Sequence, residues 1–317
     1  MKIILFLFIL NFNLAQAFVQ TKDVEIQKMS FDSKYHIYLS DKSKYGYDQI
    51  SVALDKVFSY KKPVIFFIHG RGSEPGKSLE GGTFVEGNAV RKLEDQYNAK
   101  VLLFNWNSKA SFYDRNKPLS QMNNSAESLH KVLLVLQKYL QTNSDKKIML
   151  LAHSMGSIVL QSYFEKFGWK FPKRLFSHIL LTSPDANDIN HEIWLDQLAE
   201  KEIVYVTINK DDNILLKSTD ARPNKALALG LGDKKVYGKK ATYLDFTNIG
   251  DQPGQANDAH EIFNKPNMKN QKNICDVFHS LLISDKPDLN KAATETLQKN
   301  YLKFKFKTDQ NASCFKW

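Results

Sequence analysis

The sequence predicts an α/β fold: a mostly parallel central sheet with helices on both faces. Three observations predict it. Apolar runs of strand length recur along the chain with helical segments between them, the pattern of a parallel sheet covered on both sides. The carboxyl ends of those runs carry polar and small residues, as they do in open parallel sheets, where sites form at that edge. After removal of a 17-residue leader, 317 − 17 = 300 residues remain, enough for one large domain with a substantial core.

Residues 1–17 read as a secretory signal peptide. Lys2 supplies the positive start, Ile3 to Leu14 the apolar stretch, and Ala15-Gln16-Ala17 the small-residue cleavage site. The protein is therefore expected to be exported, periplasmic or secreted. Residues 18–60 extend the sheet with a strand at Tyr35 to Leu39 and a helix, and 61–285 form the main domain. Its strands are Val64 to Ile68, Lys100 to Phe104, Ile148 to Leu151, His178 to Leu181, Ile203 to Ile208 and Thr242 to Phe246. Helices are expected at Gly87 to Tyr97, from a Ser125 cap to about Leu140, and at Asn187 to Glu200. Lys217 to Lys240 and Gly250 to Lys272 read as long irregular loops near the strand ends. A C-terminal helix and an edge strand, Leu302 to Lys307, complete 286–317.

Lys and Arg number 44 against 34 Asp and Glu, a net charge of +10. The charge is spread along the chain with no Arg-rich or Gly-rich signature, which argues against nucleic acid and leaves open a peripheral attraction to anionic envelope surfaces. No metal-ligand spacing, phosphate-binding P-loop or dinucleotide fingerprint occurs, so no cofactor is expected. The two cysteines, Cys275 and Cys314, lie near the C-terminus, and in an oxidising compartment they form either a disulfide or two buried thiols.

The chemistry concentrates in Ile148-Met149-Leu150-Leu151-Ala152-His153-Ser154-Met155-Gly156, where a strand runs into a serine and a helix follows. That is a nucleophile elbow, a strained turn in which only small residues fit two positions either side of the serine; Ala152 and Gly156 meet the need. A serine hydroxyl needs a general base, and the base an orienting carboxylate. In the α/β-hydrolase fold the order is Ser, acid, His. Asp212, after the Ile203 strand, is the first candidate acid, with Asp211 and Asp185 as alternatives. His279, in a short loop opening an apolar helix, is the selected base, and His260, in polar Asn257-Asp258-Ala259, reads as a solvated surface residue. The backbone N–H groups of Met155 and Arg71 are the oxyanion donors. His69 and His153 read as structural.

Phe67-Ile68-His69-Gly70, Phe104-Asn105-Trp106-Asn107-Ser108, Tyr113-Asp114, Leu151 to Gly156, Ser183-Pro184-Asp185 and Asp212-Asn213-Ile214-Leu215 resemble a bacterial family of α/β hydrolases catalogued as a domain of unknown function. The resemblance covers about residues 63–283 and implies a serine-hydrolase fold with Ser154, Asp212 and His279 as nucleophile, acid and base. Three features depart from the family pattern: Arg71-Gly72 where an aromatic and Asn are common, Ser157 where Asn is common, and a longer Gly250–Asn273 segment.

An exported serine hydrolase forming an acyl-enzyme on Ser154, a carboxylesterase or lipase-like enzyme for small-molecule or lipid esters, is the first functional reading. A catalytically silent fold serving as a secreted binding or scaffold protein is the second. Thioesterases, peptidases and acyltransferases use the same triad, because acyl group and acceptor are chosen by pocket shape.

Overall fold

A computed structural model of the chain describes residues 37–41, 43–71, 89–108, 114–232, 237–249, 259–264, 272–289, 295–298 and 300–304. The leader at 1–17 lies outside them. The strands are β1 (Ile37–Tyr38), β2 (Lys44–Tyr45), β3 (Val64–Ile68), β4 (Lys100–Phe104), β5 (Met149–His153), β6 (Ile179–Thr182), β7 (Val204–Ile208), β8 (Thr242–Asp245), β9 (Glu295–Gln298) and β10 (Tyr301–Lys303). They form one sheet in the order β2-β1-β4-β3-β5-β6-β7-β8-β10-β9. From β4 to β10 every pair is parallel; β1, β2 and β9 run antiparallel at the edges. The chain is an α/β protein with a mostly parallel sheet.

Helices cover both faces: α1 (Ile50–Ser59), α2 (Ala89–Tyr97), α3 (Asn116–Leu119), α4 (Met122–Thr142), α5 (Gly156–Phe167), α6 (His191–Ala199), α7 (Asn213–Asp220) and α8 (Lys272–Ile283). Successive side chains of a strand point to opposite faces, so each central strand feeds two cores. Val64, Phe66 and Ile68 pack with the buried faces of α1, α4, α5 and α6. Ile65 and Phe67 face the other way, into α2 and α8, with Phe246, Phe278 and Phe304. Burial of each such side chain contributes roughly 1.5–3 kcal/mol.

Local sequence misjudged two boundaries. Helix α4 begins at Met122 rather than at a Ser125 cap, because Ser125 is buried in the first turn and its N–H donates to the Gln121 carbonyl. The segment around Leu302 is not an edge: β10 is parallel to β8 on one side and antiparallel to β9 on the other. Among the described residues of 286–317 there are two strands and no helix. No helix of the described residues is long and apolar enough to cross a membrane.

Register sets up the site. Ile68 lies opposite Phe104 on one side and Ala152 on the other, and His153 lies opposite Thr182. The chain therefore leaves β3, β5 and β6 side by side. Between β3 and β5 the strand order reverses, and there the crevice of an open α/β sheet forms.

Candidate active site

Ser154 directly follows β5 and has φ of +51°, a left-handed conformation that a serine holds at a cost of about 1–3 kcal/mol. Its surroundings impose that turn. The Ser154 N–H donates to the Thr182 carbonyl (3.0 Å), and its carbonyl accepts from Ser157 N (3.0 Å), Ser157 Oγ (2.7 Å) and Asp185 N (3.1 Å). Gly156 has no room for a side chain: a Cβ there would lie 2.3 Å from the Ile68 carbonyl oxygen and 2.8 Å from that of His69. A Cβ on Gly70 would come within 2.9 Å of Ser154 Cβ. The loop after β3 thus lies directly on the elbow. Met155 stands at the start of α5, where the first N–H groups of a helix have no partner within it. Arg71 follows Gly70 as the last described residue before 72–88.

Asp212, after β7, is fully buried and caps α7. Its Oδ1 accepts from Ile214 N (3.0 Å) and Leu215 N (2.9 Å). The same carboxylate meets a histidine, and that histidine is His260, not His279. His260 Nδ1 lies 2.8 Å from Oδ2 and 3.1 Å from Oδ1. A carboxylate can only accept, so Nδ1 carries the proton and Nε2 is left as the acceptor in neutral imidazole. Among the described residues, His260 Nε2 is buried with no hydrogen-bond partner.

The turn carrying His260 is fixed from three sides. Ser183 Oγ donates to the His260 carbonyl (2.9 Å), Tyr97 Oη donates to the Phe263 carbonyl, and the Phe263 ring meets the edge of His153 with centroids 5.0 Å apart. His153 in turn lies 4.8 Å from the His260 ring. His153, the neighbour of Ser154 in sequence, thus lies between the elbow and His260.

His279 sits half-buried on α8, whose other face packs into the core. Two residues on, the Leu281 carbonyl accepts from His178 Nε2, and His178 immediately precedes β6. That places this part of the helix toward the amino ends of the strands, whereas Ser154 and Asp212 follow carboxyl ends. The expected pairing of His279 with Asp212 is corrected on this ground. The sequence signal for His260 was present but faint: Ala259, Ile262 and Phe263 are buried around it, an apolar frame within a polar stretch.

The alternative acids have other partners. Asp211 Oδ2 accepts from Asn248 N (2.7 Å) and braces the neighbouring loop. Asp185, 3% exposed, is bonded by Arg115 Nη1 at Oδ2 and, at Oδ1, by Arg222 Nη2 and Ser218 Oγ, both 2.8 Å away. Arg222 also bonds the Asp185 and Leu227 carbonyls. No histidine is among these partners.

Electrostatics divide the three histidines here. Burial presses His260 down, but the Asp212 charge and hydrogen bond outweigh it and hold its pKa above the ordinary histidine value. Burial, joined by the His260 charge, pushes His153 well below that value. His69 is pushed down to about 4 by burial; its Nδ1 donates to the Gly70 carbonyl (2.7 Å) and its ring lies on Trp106, whose Nε1 donates to the His69 carbonyl (2.8 Å). Among the described residues, no three His, Cys, Asp or Glu side chains are grouped to hold a metal ion.

Residues 49–241, more than half of the chain, match the family of alpha/beta hydrolases of unknown function (DUF900), and the chain belongs to it. The matched span includes Ser154 and Asp212 and ends before both His260 and His279. No curated protein matches the sequence. Similar solved structures include a "predicted CIB-like hydrolase" from Thermoplasma acidophilum, 11% identical over 65% of this chain and 81% of that one, TM-score 0.33. An esterase from Pyrobaculum calidifontis is 12% identical over 64% of this chain and 69% of that one, TM-score 0.34. Likenesses at that level carry no argument about activity.

Proposed function

We propose that the protein is an exported serine hydrolase that forms an acyl-enzyme on Ser154, with Asp212 orienting His260 as general base. The observation that carries this reading is the buried Nε2 of His260, unpartnered among the described residues, whose other ring nitrogen is held by Asp212 and whose ring lies 4.8 Å from that of His153, the residue before a strained serine. A strained elbow and an unsatisfied buried nitrogen each cost stability, and both are needed by acyl transfer.

In the first half-reaction Ser154 Oγ attacks the ester carbonyl carbon while its proton passes to His260 Nε2. The oxyanion is held by the N–H groups of Met155 and Arg71. The tetrahedral intermediate then expels the alcohol, which takes the proton from His260, and leaves the acyl group on Ser154. Water repeats the sequence and releases the acid. A carboxylesterase or lipase-like activity is the reading that requires no further group.

Export rests on Lys2, the apolar stretch to Leu14 and Ala15-Gln16-Ala17, and is supported by Cys275 being disulfide-bonded, a state that persists in oxidising compartments. Exported protein should begin at Phe18 by N-terminal mass; retention of residues 1–17 would refute cleavage. The enzymatic reading is tested with an uncharged fluorophosphonate. Covalent mass on Ser154, lost in Ser154→Ala, is expected. A folded protein that takes up no label would instead be a binding or scaffold protein.

A further inference from the structure

Beside the elbow, two guanidinium groups share one buried carboxylate. Arg115 and Arg222, with side chains 10% and 7% exposed, both bond Asp185, whose own N–H donates to the Ser154 carbonyl at 3.1 Å. Arg222 and Ser218 would be enough to hold Asp185 in place; adding Arg115 leaves a buried positive excess, which is costly without a counter-anion. The donors are not all used. Arg222 Nε is buried without a partner, and only Nη1 of Arg115 is hydrogen-bonded among the described residues. Two further acids lie near: Asp114 is exposed and accepts from Lys117 N, and Asp188, 20% exposed and 3.4 Å from His191 Nδ1, also acts on Arg222.

We propose that Arg115, backed by Arg222 and held by Asp185, forms a subsite for an anionic group, carboxylate or phosphate, carried by the ester that Ser154 attacks. This deepens the serine-hydrolase reading and rests on it. Guanidinium groups suit the role because their planar donors match two oxygens of a carboxylate or phosphate at once. Asp185 then has a positioning role: it aims the guanidiniums and ties them to the elbow through its backbone.

The test compares p-nitrophenyl butyrate with p-nitrophenyl hemisuccinate, acyl groups of equal length that differ in a terminal carboxylate. The purified protein should favour the anionic ester in kcat/KM by about tenfold or more at low salt, less at high salt. In Arg115→Gln that ratio should fall toward one. Succinate and inorganic phosphate, tested as competitive inhibitors and as ligands raising the Tm of Ser154→Ala, tell a carboxylate site from a phosphate site. Equal use of the two esters, a preference that survives the substitution, or a Tm indifferent to both anions would overturn the subsite. Labelling by the uncharged fluorophosphonate reports on the hydrolase reading separately. If Ser154 is labelled and no charge preference appears, only the subsite fails; if it is not labelled, the Tm shift still decides whether anions bind there.

Discussion

One carboxylate does two things at Asp212. Through Oδ1 it caps α7, and through Oδ2 it holds His260 in the tautomer that leaves Nε2 to receive a proton. Asp212→Asn keeps the cap but favours the wrong tautomer, so ester turnover should drop by roughly 10⁴-fold with little loss of stability. His260→Ala should be comparably inactive and His279→Ala close to wild type in kcat/KM; the reverse pair of results would restore His279 as the base. Asp185→Asn should act mainly by loosening the Arg115 and Arg222 contacts, read as a lower Tm. The sign of the pH dependence follows from the raised pKa of His260. The base works only when neutral, so kcat/KM should rise with pH through a midpoint above the ordinary histidine value of about 6.5. Burial opposes that shift, and Asp212, Glu261 and Asp185 support it. In Asp212→Asn the midpoint should fall, and an unmoved midpoint would mean that another group sets it. Burial, joined by the His260 charge, holds the pKa of His153 well below the ordinary histidine value, so His153 should not set that midpoint.

At the scale of elements, the elbow was legible because its constraint is local. A strand, a serine between small residues and a helix are neighbours in sequence, and Gly156 is required by the carbonyls of Ile68 and His69 pressing on it. Gly156→Ala should therefore destabilise by about 1–3 kcal/mol in denaturant titration, since backbone atoms cannot move aside as a flexible side chain would. The histidine was harder to find. A loop opening an apolar helix is where a catalytic histidine is commonly presented, and His279 has that local look. What decides is which loop the sheet order brings over β7. The polar run ending at His260 reads as surface until Ser183, Tyr97 and His153 are seen to clamp its turn from the loop after β6, from α2 and from the end of β5.

For the whole molecule, the sheet separates two cores, and α8 closes the second with Phe278, Leu281 and Leu282. Cys275 on that helix is disulfide-bonded; the chain's other cysteine, Cys314, lies outside the described residues. Cys275→Ser should lower stability by about 2–4 kcal/mol, and the denatured, non-reduced protein should titrate no thiol. Two thiols would refute the bridge. The sequence by itself determined the α/β class, the six central strands and the elbow at Ser154, because hydrophobic period and turn chemistry act over a few residues. Asp212 was legible as a strand-end acid, but not its advantage over Asp185, which depended on where Arg115, Arg222 and Ser218 converge. The pairing of Asp212 with His260 rather than His279, and the meeting of Arg115 and Arg222 at Asp185, were decided only by the tertiary structure. Contacts between residues 48 and 70 positions apart are set by strand order and register, which no local pattern carries.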